Sequence, residues 1–300
     1  MRPVTKTDSP FSLSAYLARR KKIVEEALEE YLPGEDMFPQ EIVRAFRYSV
    51  FAGGKRLRPI LCMAAAEAVG GTVDAVMPAA CALELLHTYS LIHDDLPAMD
   101  DDDFRRGRPS CHRAFGEAVA ILAGDALLTE SFRLMAEAAA PSGRVVRVIR
   151  EVADAAGWRG MVGGQVVDLD CGKTGMNPDT LHYIHTHKTA ALIAASVRAG
   201  AILAGARTRE LSMLTVYGNA VGLAFQIADD ILDAGTDQRT GTGDTQESRK
   251  RITYPGLYGI ASSKAQAEKL AGEAAGALKS FDTKAEPLRM IARFIVERED

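Results

Sequence analysis

Helical periodicity of the apolar residues runs through nearly the whole 300-residue chain and leaves little room for any other kind of fold. Alanine is abundant, and strand-like alternation bounded by turn residues never persists beyond a few positions. The breaks between helical stretches are marked by glycine and proline. Residues 12–31 open at a serine and end before Pro33-Gly34, 40–52 stop at Gly53-Gly54, and 58–69 stop at Gly70-Gly71. A fourth helix is predicted over 74–96, with Pro78 in its first turns and a polar loop after it through Pro109. Further helices are predicted at 112–139, 143–170, 178–205 and 208–234. A Gly/Thr-rich loop spans 235–252, and helices at 254–280 and 284–298 close the chain. No linker divides these segments and no fixed-period repeat relates them. The expectation is one domain over 1–300, an all-α helical bundle around a central cavity, with a site at one end.

With 47% hydrophobic and 25% charged residues, such a bundle has ample core material. The net charge of −4, with basic residues dispersed or beside acidic ones, gives no nucleic-acid footprint. No apolar run approaches a membrane span, and the first residues lack the apolar core of a signal peptide, so no stable membrane anchoring is expected. Cys62, Cys81, Cys111 and Cys171 are widely spaced, with no Cys-x-x-Cys pair. That spacing argues against a zinc ribbon and fits buried thiols in a reducing cytoplasm.

The chemistry concentrates where the fourth helix ends. Asp94, Asp95, Asp100, Asp101, Asp102 and Asp103 place six carboxylates within ten residues, followed by Arg105 and Arg106. Most charge runs are solvated loops. Here Leu91, Ile92, Leu96, Pro97 and Met99 are interleaved, so part of the cluster should lie near a core, where crowded carboxylates need a cation. Hard divalent cations are the natural partner, and paired arginines suit bidentate capture of phosphate. A second apolar helix ends the same way: Asp229 and Asp233 lie one turn apart on one face, with Asp230 beside them. Two carboxylate walls around a polyanion suit magnesium, which binds through one or two carboxylates plus substrate phosphate.

Other groups are ambiguous by themselves. Gly53-Gly54-Lys55-Arg56-Leu57-Arg58-Pro59 is a basic turn at a helix start, but not a Walker A loop. An EF-hand is excluded because no glycine stands at its turn position. His182, His185 and His187 cannot all face one metal from a regular helix. Lys188 and Thr189 read better as phosphate contacts. Gln165 and Asp168 share a helical face, as a buried pair or as site residues. Glu84-x-x-His87 is half of a di-iron motif whose second copy is missing. His93-Asp94 with His87 is compatible with an all-α metal-dependent phosphohydrolase, which would leave Asp229–Asp233 and the arginine pair unexplained.

Together these blocks resemble the trans-isoprenyl diphosphate synthases, and within them the bacterial farnesyl diphosphate synthases. Asp94-Asp95-Leu96-Pro97-Ala98-Met99-Asp100 with Arg105-Arg106-Gly107 resembles the first aspartate-rich motif, and Asp229-Asp230-Ile231-Leu232-Asp233 the second. Gly53–Pro59, Gly163–Asp168 and His187–Thr189 are similar to the remaining blocks, in order, over nearly the whole chain. The resemblance implies a homodimer that condenses isopentenyl diphosphate head-to-tail with an allylic diphosphate, using three Mg2+ ions. It implies that Asp94 and Asp100 bind two of the ions and Asp229 the third, supported by Asp95, Asp230 and Asp233. Arg105, Lys188, Thr189 and Gln226 would hold the allylic diphosphate, and Lys55, Arg58, His87 and Arg106 isopentenyl diphosphate. Tyr89, five residues before Asp94, would close the product tunnel at farnesyl diphosphate; a geranylgeranyl or geranyl product is the alternative. Arg251 stands where the family often has lysine, and the C-terminus is more acidic than is usual there. A terpene cyclase fits the second motif poorly, and a non-catalytic subunit would be marked by loss of an aspartate motif that is intact here.

Overall fold

Four helices in succession build the first half of the molecule: α1 (Leu13–Tyr31), α2 (Gln40–Val50), α3 (Leu57–Ala68) and α4 (Val73–Asp94). They belong to a computed structural model that describes residues 11–174, 177–240 and 253–298, the side chains of 171–174 and 235–240 excepted. The Ser12 hydroxyl caps α1 by accepting the N–H of Ala15 at 3.4 Å, so the predicted serine start is the helix start. α4 has almost no polar face: Met77, Cys81, Leu83, Leu85, Leu86 and Ile92 are all buried, on every side of the helix. A helix apolar all round belongs at the centre of a bundle. α4 packs there between α3 and α6 (Glu117–Met135).

The second half adds α5 (Cys111–Phe115), α7 (Ser142–Ala156), α8 (Met161–Thr174), α9 (Pro178–Ile184), α10 (Ala191–Leu203) and α11 (Thr208–Thr240). α12 (Tyr254–Tyr258), α13 (Ile260–Ala277) and α14 (Glu286–Glu297) follow. α10 lies against α3, α7 and α11, and α13 lies along α11. The all-α bundle expected from the periodicity is the fold observed. Among the described residues, the only strands are the two-residue pair Phe104–Arg105 and Arg108–Pro109, a small hairpin after the aspartate cluster.

Several predicted boundaries differ. The helix expected over 112–139 breaks at Gly116, whose φ of +84° lies where only glycine is unstrained. The one expected over 143–170 breaks between Ala156 and Met161, and the one over 254–280 at Gly259. α11 continues through Thr240, into the stretch expected as loop; the rest of that loop lies outside the described residues. The helix over 178–205 is interrupted by a π-helical turn, His185–Ala190. Two helices, Val73–Asp94 and Thr208–Ala234, are after all long and apolar enough to cross a membrane by length and composition. Their apolar windows are 78% and 56% buried within the fold, so packing against other helices accounts for them.

Candidate active site

A cavity of about 650 Å3 opens between the C-terminal half of α4, α8, the π-helical turn and α11. Asp94 enters its wall from the last turn of α4, and Asp229 from α11. The two aspartate clusters therefore meet across one space. Arg58, His87, Arg105, Arg106 and Lys188 line the same polar end, with Thr189 and Gln226 beside them. Tyr89, Leu91, Met161, Val166, Leu169 and Phe225 supply apolar wall.

The charges are arranged in a way that calls for a ligand of both signs. Burial pushes the Asp94 carboxyl up to about 6; Asp100 and Asp95 add to the rise, and Lys188 and Arg105 oppose it. Burial likewise raises Asp229 above the ordinary carboxylate range, against the pull of Arg298. On the cationic side, burial lowers Arg58 from its usual range, and burial with Arg58 and Arg106 holds His87 well below the usual imidazole value. Arg58 Nε and both amide atoms of Gln165, a residue only 8% exposed, are buried without a hydrogen-bond partner. Orphaned groups of this kind in a cavity wall mark where a ligand or water belongs.

Local structure explains how each side chain arrives. Gly164 on α8 lets that helix touch the π-helical turn, since a Cβ there would stand 2.3 Å from the Lys188 nitrogen. At this contact Lys188 Nζ donates to Asp168 Oδ2 at 2.6 Å, and Gln165 on the same face of α8 lines the cavity. The π-helical turn also separates the three histidines. His185 Nε2 lies 3.2 Å from Asp230, whereas His182 and His187 line an outer groove. Thr189 Oγ1 donates to Gln226 Oε1 at 2.6 Å, and Gln226 Nε2 donates to Asp230 Oδ1 at 2.9 Å.

Not every predicted residue faces the cavity. Asp230 is 5% exposed and points away, accepting from Gln226 and from the backbone N–H of Tyr254 at 2.7 Å. Asp95 is 2% exposed and takes Nε of Arg105 at 2.9 Å, with a second, shorter bond from Arg105 Nη2. Asp95 thus orients Arg105, which Asp102 also holds at 2.9 Å. Arg106 donates to the carbonyl of Gly53. Asp100 is kept beside Asp94 by its own N–H, which donates to the Asp94 carbonyl at 2.9 Å, but neither Asp100 nor Asp233 lines the cavity. Lys55 lines an adjoining cavity of about 300 Å3 between α1, α3 and α14. Arg251 lies outside the described residues.

Two residues had no assigned role in the sequence. Arg56, fully buried in the left-handed region at φ +51°, donates to Glu84 at 2.7 Å and to the Val50 carbonyl at 2.7 Å. It anchors the turn that carries Lys55 and Arg58; the left-handed backbone and a buried arginine between two exposed-looking cations carry no sequence signature. Arg298 reaches back from the C-terminus to pair with Asp229 and lies over Phe225.

Magnesium fits this donor set. Among the described residues no three carboxylate, histidine or cysteine side chains form a cage. Asp94 and Asp229 are half-buried hard oxygen donors on the wall of one open cavity, which suits an ion that completes its shell with water and diphosphate.

Comparison with known proteins agrees with this geometry. The polyprenyl synthetase family profile matches residues 39–286. A geranylgeranyl diphosphate synthase of Cyanophora paradoxa is 47% identical over 293 residues, covering 96% of this chain and 97% of that protein. A dimethylallyltranstransferase of Fischerella ambigua is 47% identical over 298 residues, covering 97% of this chain and 85% of that protein. Among solved structures, an FPP/GFPP synthase from Zymomonas mobilis superposes with a TM-score of 0.85 at 35% identity, covering 95% of this chain and 98% of that one.

Proposed function

Because the chain belongs to the polyprenyl synthetase family and is a prenyltransferase that elongates prenyl chains, we propose that it condenses isopentenyl diphosphate with allylic diphosphates, with geranylgeranyl diphosphate as the end product. The observation that carries the chemistry is the meeting of Asp94 and Asp229 with Arg58, Arg105 and Lys188 on one cavity that also has an apolar wall of Leu91, Met161, Val166, Leu169 and Phe225. The C20 length is supported by the names of the similar proteins, of which the one from Cyanophora paradoxa is a geranylgeranyl diphosphate synthase. A C15 product is the second reading, supported by Tyr89, a 6%-exposed aromatic in the cavity wall one turn below Asp94.

The barrier is ionisation of the allylic C–O bond, so rate is gained where negative charge gathers on departing diphosphate. Arg105 and Lys188 are aimed there, and each is held by a neighbouring carboxylate, so little reorganisation accompanies the charge. Mg2+ held by Asp94, Asp229 and the neighbouring Asp100 would supply Lewis-acid stabilisation of the same charge. Thr189 and Gln226 line the cavity with Lys188 and would hold the allylic diphosphate with it. The apolar wall excludes water that would otherwise capture that cation. Arg106 and His87 with Lys55 and Arg58 hold the second diphosphate. Burial, reinforced by the nearby arginines, keeps His87 neutral, so it donates one hydrogen bond without adding charge. Homodimerisation and a cytoplasmic setting belong to the same proposal. Exposed Ile121 and Leu122 on α6 support the first, and the free, buried Cys62, Cys81 and Cys111 support the second.

The test is product sizing. Purified protein with Mg2+, labelled isopentenyl diphosphate and dimethylallyl, geranyl or farnesyl diphosphate should give dephosphorylated products ending at C20. A C15 end point would move the reading to its second form, and release of phosphate without condensation would overturn it.

A further inference from the structure

His93 stands between two well-explained residues and has no part in the chemistry above. It follows Tyr89 by four positions and precedes Asp94 by one, so its ring lies above that of Tyr89 on α4 and beside the polar end. Both rings line the main cavity. Their centroids are 5.8 Å apart at 83°, an edge-on arrangement in which the rim of one ring meets the face of the other. The far side of His93 is fixed by α6. Its Nε2 lies 3.1 Å from the carbonyl oxygen of Ile121, which can only accept, so Nε2 carries the hydrogen. Asp125 Oδ1 lies 3.9 Å from the same nitrogen.

The ring fits against α6 because residue 124 is glycine. A Cβ built on Gly124 would stand 2.1 Å from Nε2 and 2.4 Å from Cδ2 of His93. Gly124 is buried in the middle of a regular helix, where glycine is less favourable than alanine. The seat for the imidazole is the gain that offsets this cost.

We propose that His93, seated on Gly124 and tethered to the Ile121 carbonyl, is a specificity-determining residue that sets product length by holding the Tyr89 ring across the tunnel. The inference rests on the prenyl-transfer reading above and deepens it. Tyr89 alone is a hinged ring that a growing chain can push aside. With His93 behind its edge, the ring turns only if the imidazole leaves its seat. Product length then depends on α6 as well as α4, and on a position, Gly124, that touches no diphosphate-binding side chain.

Two substitutions empty the seat from its two sides and act in the same sense. His93→Ala removes the support and frees Tyr89, so the ratio of longer to shorter product rises. Gly124→Ala evicts the imidazole from its seat on α6, so Tyr89 is freed and the ratio rises as well. Each change is expected to be roughly tenfold, the discrimination that a methylene-sized change in an apolar pocket provides. The experiment sizes products from geranyl and farnesyl diphosphate with labelled isopentenyl diphosphate, for wild type and both variants. Loss of rate at an unchanged ratio is what damage to the neighbouring Asp94 would give, and it overturns the inference. So does a shorter product from Gly124→Ala. If Gly124→Ala does not fold, His93→Gln, which keeps a donor but no ring, carries the test: it lengthens the product, and a wild-type ratio contradicts the role. Condensation by the wild type to any length tests the prenyl-transfer reading separately; its complete absence overturns both.

Discussion

The buried carboxylate of Asp230 accepts the backbone N–H of Tyr254 at 2.7 Å, joining α11 to the start of α12 across the chain segment between them. The same carboxylate takes Gln226 Nε2 at 2.9 Å and faces His185 at 3.2 Å. Asp230 is therefore a brace behind the cavity, although it sits between Asp229 and Asp233 in a run of acids. Asp230→Ala leaves a buried N–H and a glutamine amide without an acceptor, at a cost of about 1–3 kcal/mol each. Urea unfolding should show that loss, while the affinity for Mg2+ changes far less than in Asp229→Asn. An Asp230 variant of native stability and lost metal affinity would contradict the brace.

Asp94 should show the opposite balance. Its carboxyl is pushed up to about 6 in the folded protein, chiefly by burial. An unfolded aspartate titrates near 3.9. Between those values the folded state binds more protons, so stability falls as pH rises through this window and stays reduced at pH 7. Asp94→Asn should therefore stabilise the metal-free protein at pH 7 by on the order of 2 kcal/mol and leave it unchanged at pH 4. Activity should be nearly abolished. Thermal denaturation at the two pH values, without metal, checks the sign.

Arg56 and Glu84 form a charge pair that is buried on both sides, at 2.7 Å. Removing one partner strands the other in the core. Glu84→Leu or Arg56→Met alone should each cost about 3–5 kcal/mol, and the double variant should recover most of it. Since Arg56 anchors the turn bearing Lys55 and Arg58, any single variant that still folds should show a raised KM for isopentenyl diphosphate. The KM for the allylic substrate should hardly change. Equal changes in both KM values would place the pair outside the proposed isopentenyl subsite.

Tyr89 lines the cavity and is 6% exposed, so truncation opens space where the growing chain ends. Tyr89→Ala should give products at least one isoprene unit longer than the wild type in the same sizing assay. An unchanged profile would remove Tyr89 from the tunnel wall.

Much of this architecture was legible because it rests on short-range rules. Ser12, Gly70 and the apolar stretch of α4 carry their structural meaning within a turn or two of chain. The aspartate clusters were legible for a different reason: carboxylates amid apolar residues need a cation wherever they lie. What could not be read was set by contacts between distant segments. Asp230 and Asp229 are adjacent and chemically identical, and only the folded packing of Tyr254 and His185 separates brace from cavity wall. The π-helical turn at His185–Ala190 lies in close contact with α8 at Gly164, and no local pattern announces either feature. The same holds for Gly124, whose role is apparent only once His93 is seen against it.

The central claim is that Asp94 and Asp229, on two helices, serve one diphosphate site through Mg2+. Calorimetric titration of the protein with the unreactive thiolo analogue of geranyl diphosphate, with and without Mg2+, tests it most directly. Wild type should bind tightly only with Mg2+, and Asp94→Asn and Asp229→Asn should each lose at least tenfold in affinity, about 1.4 kcal/mol or more. Binding of equal strength without the ion, or unaffected by either substitution, would contradict the account.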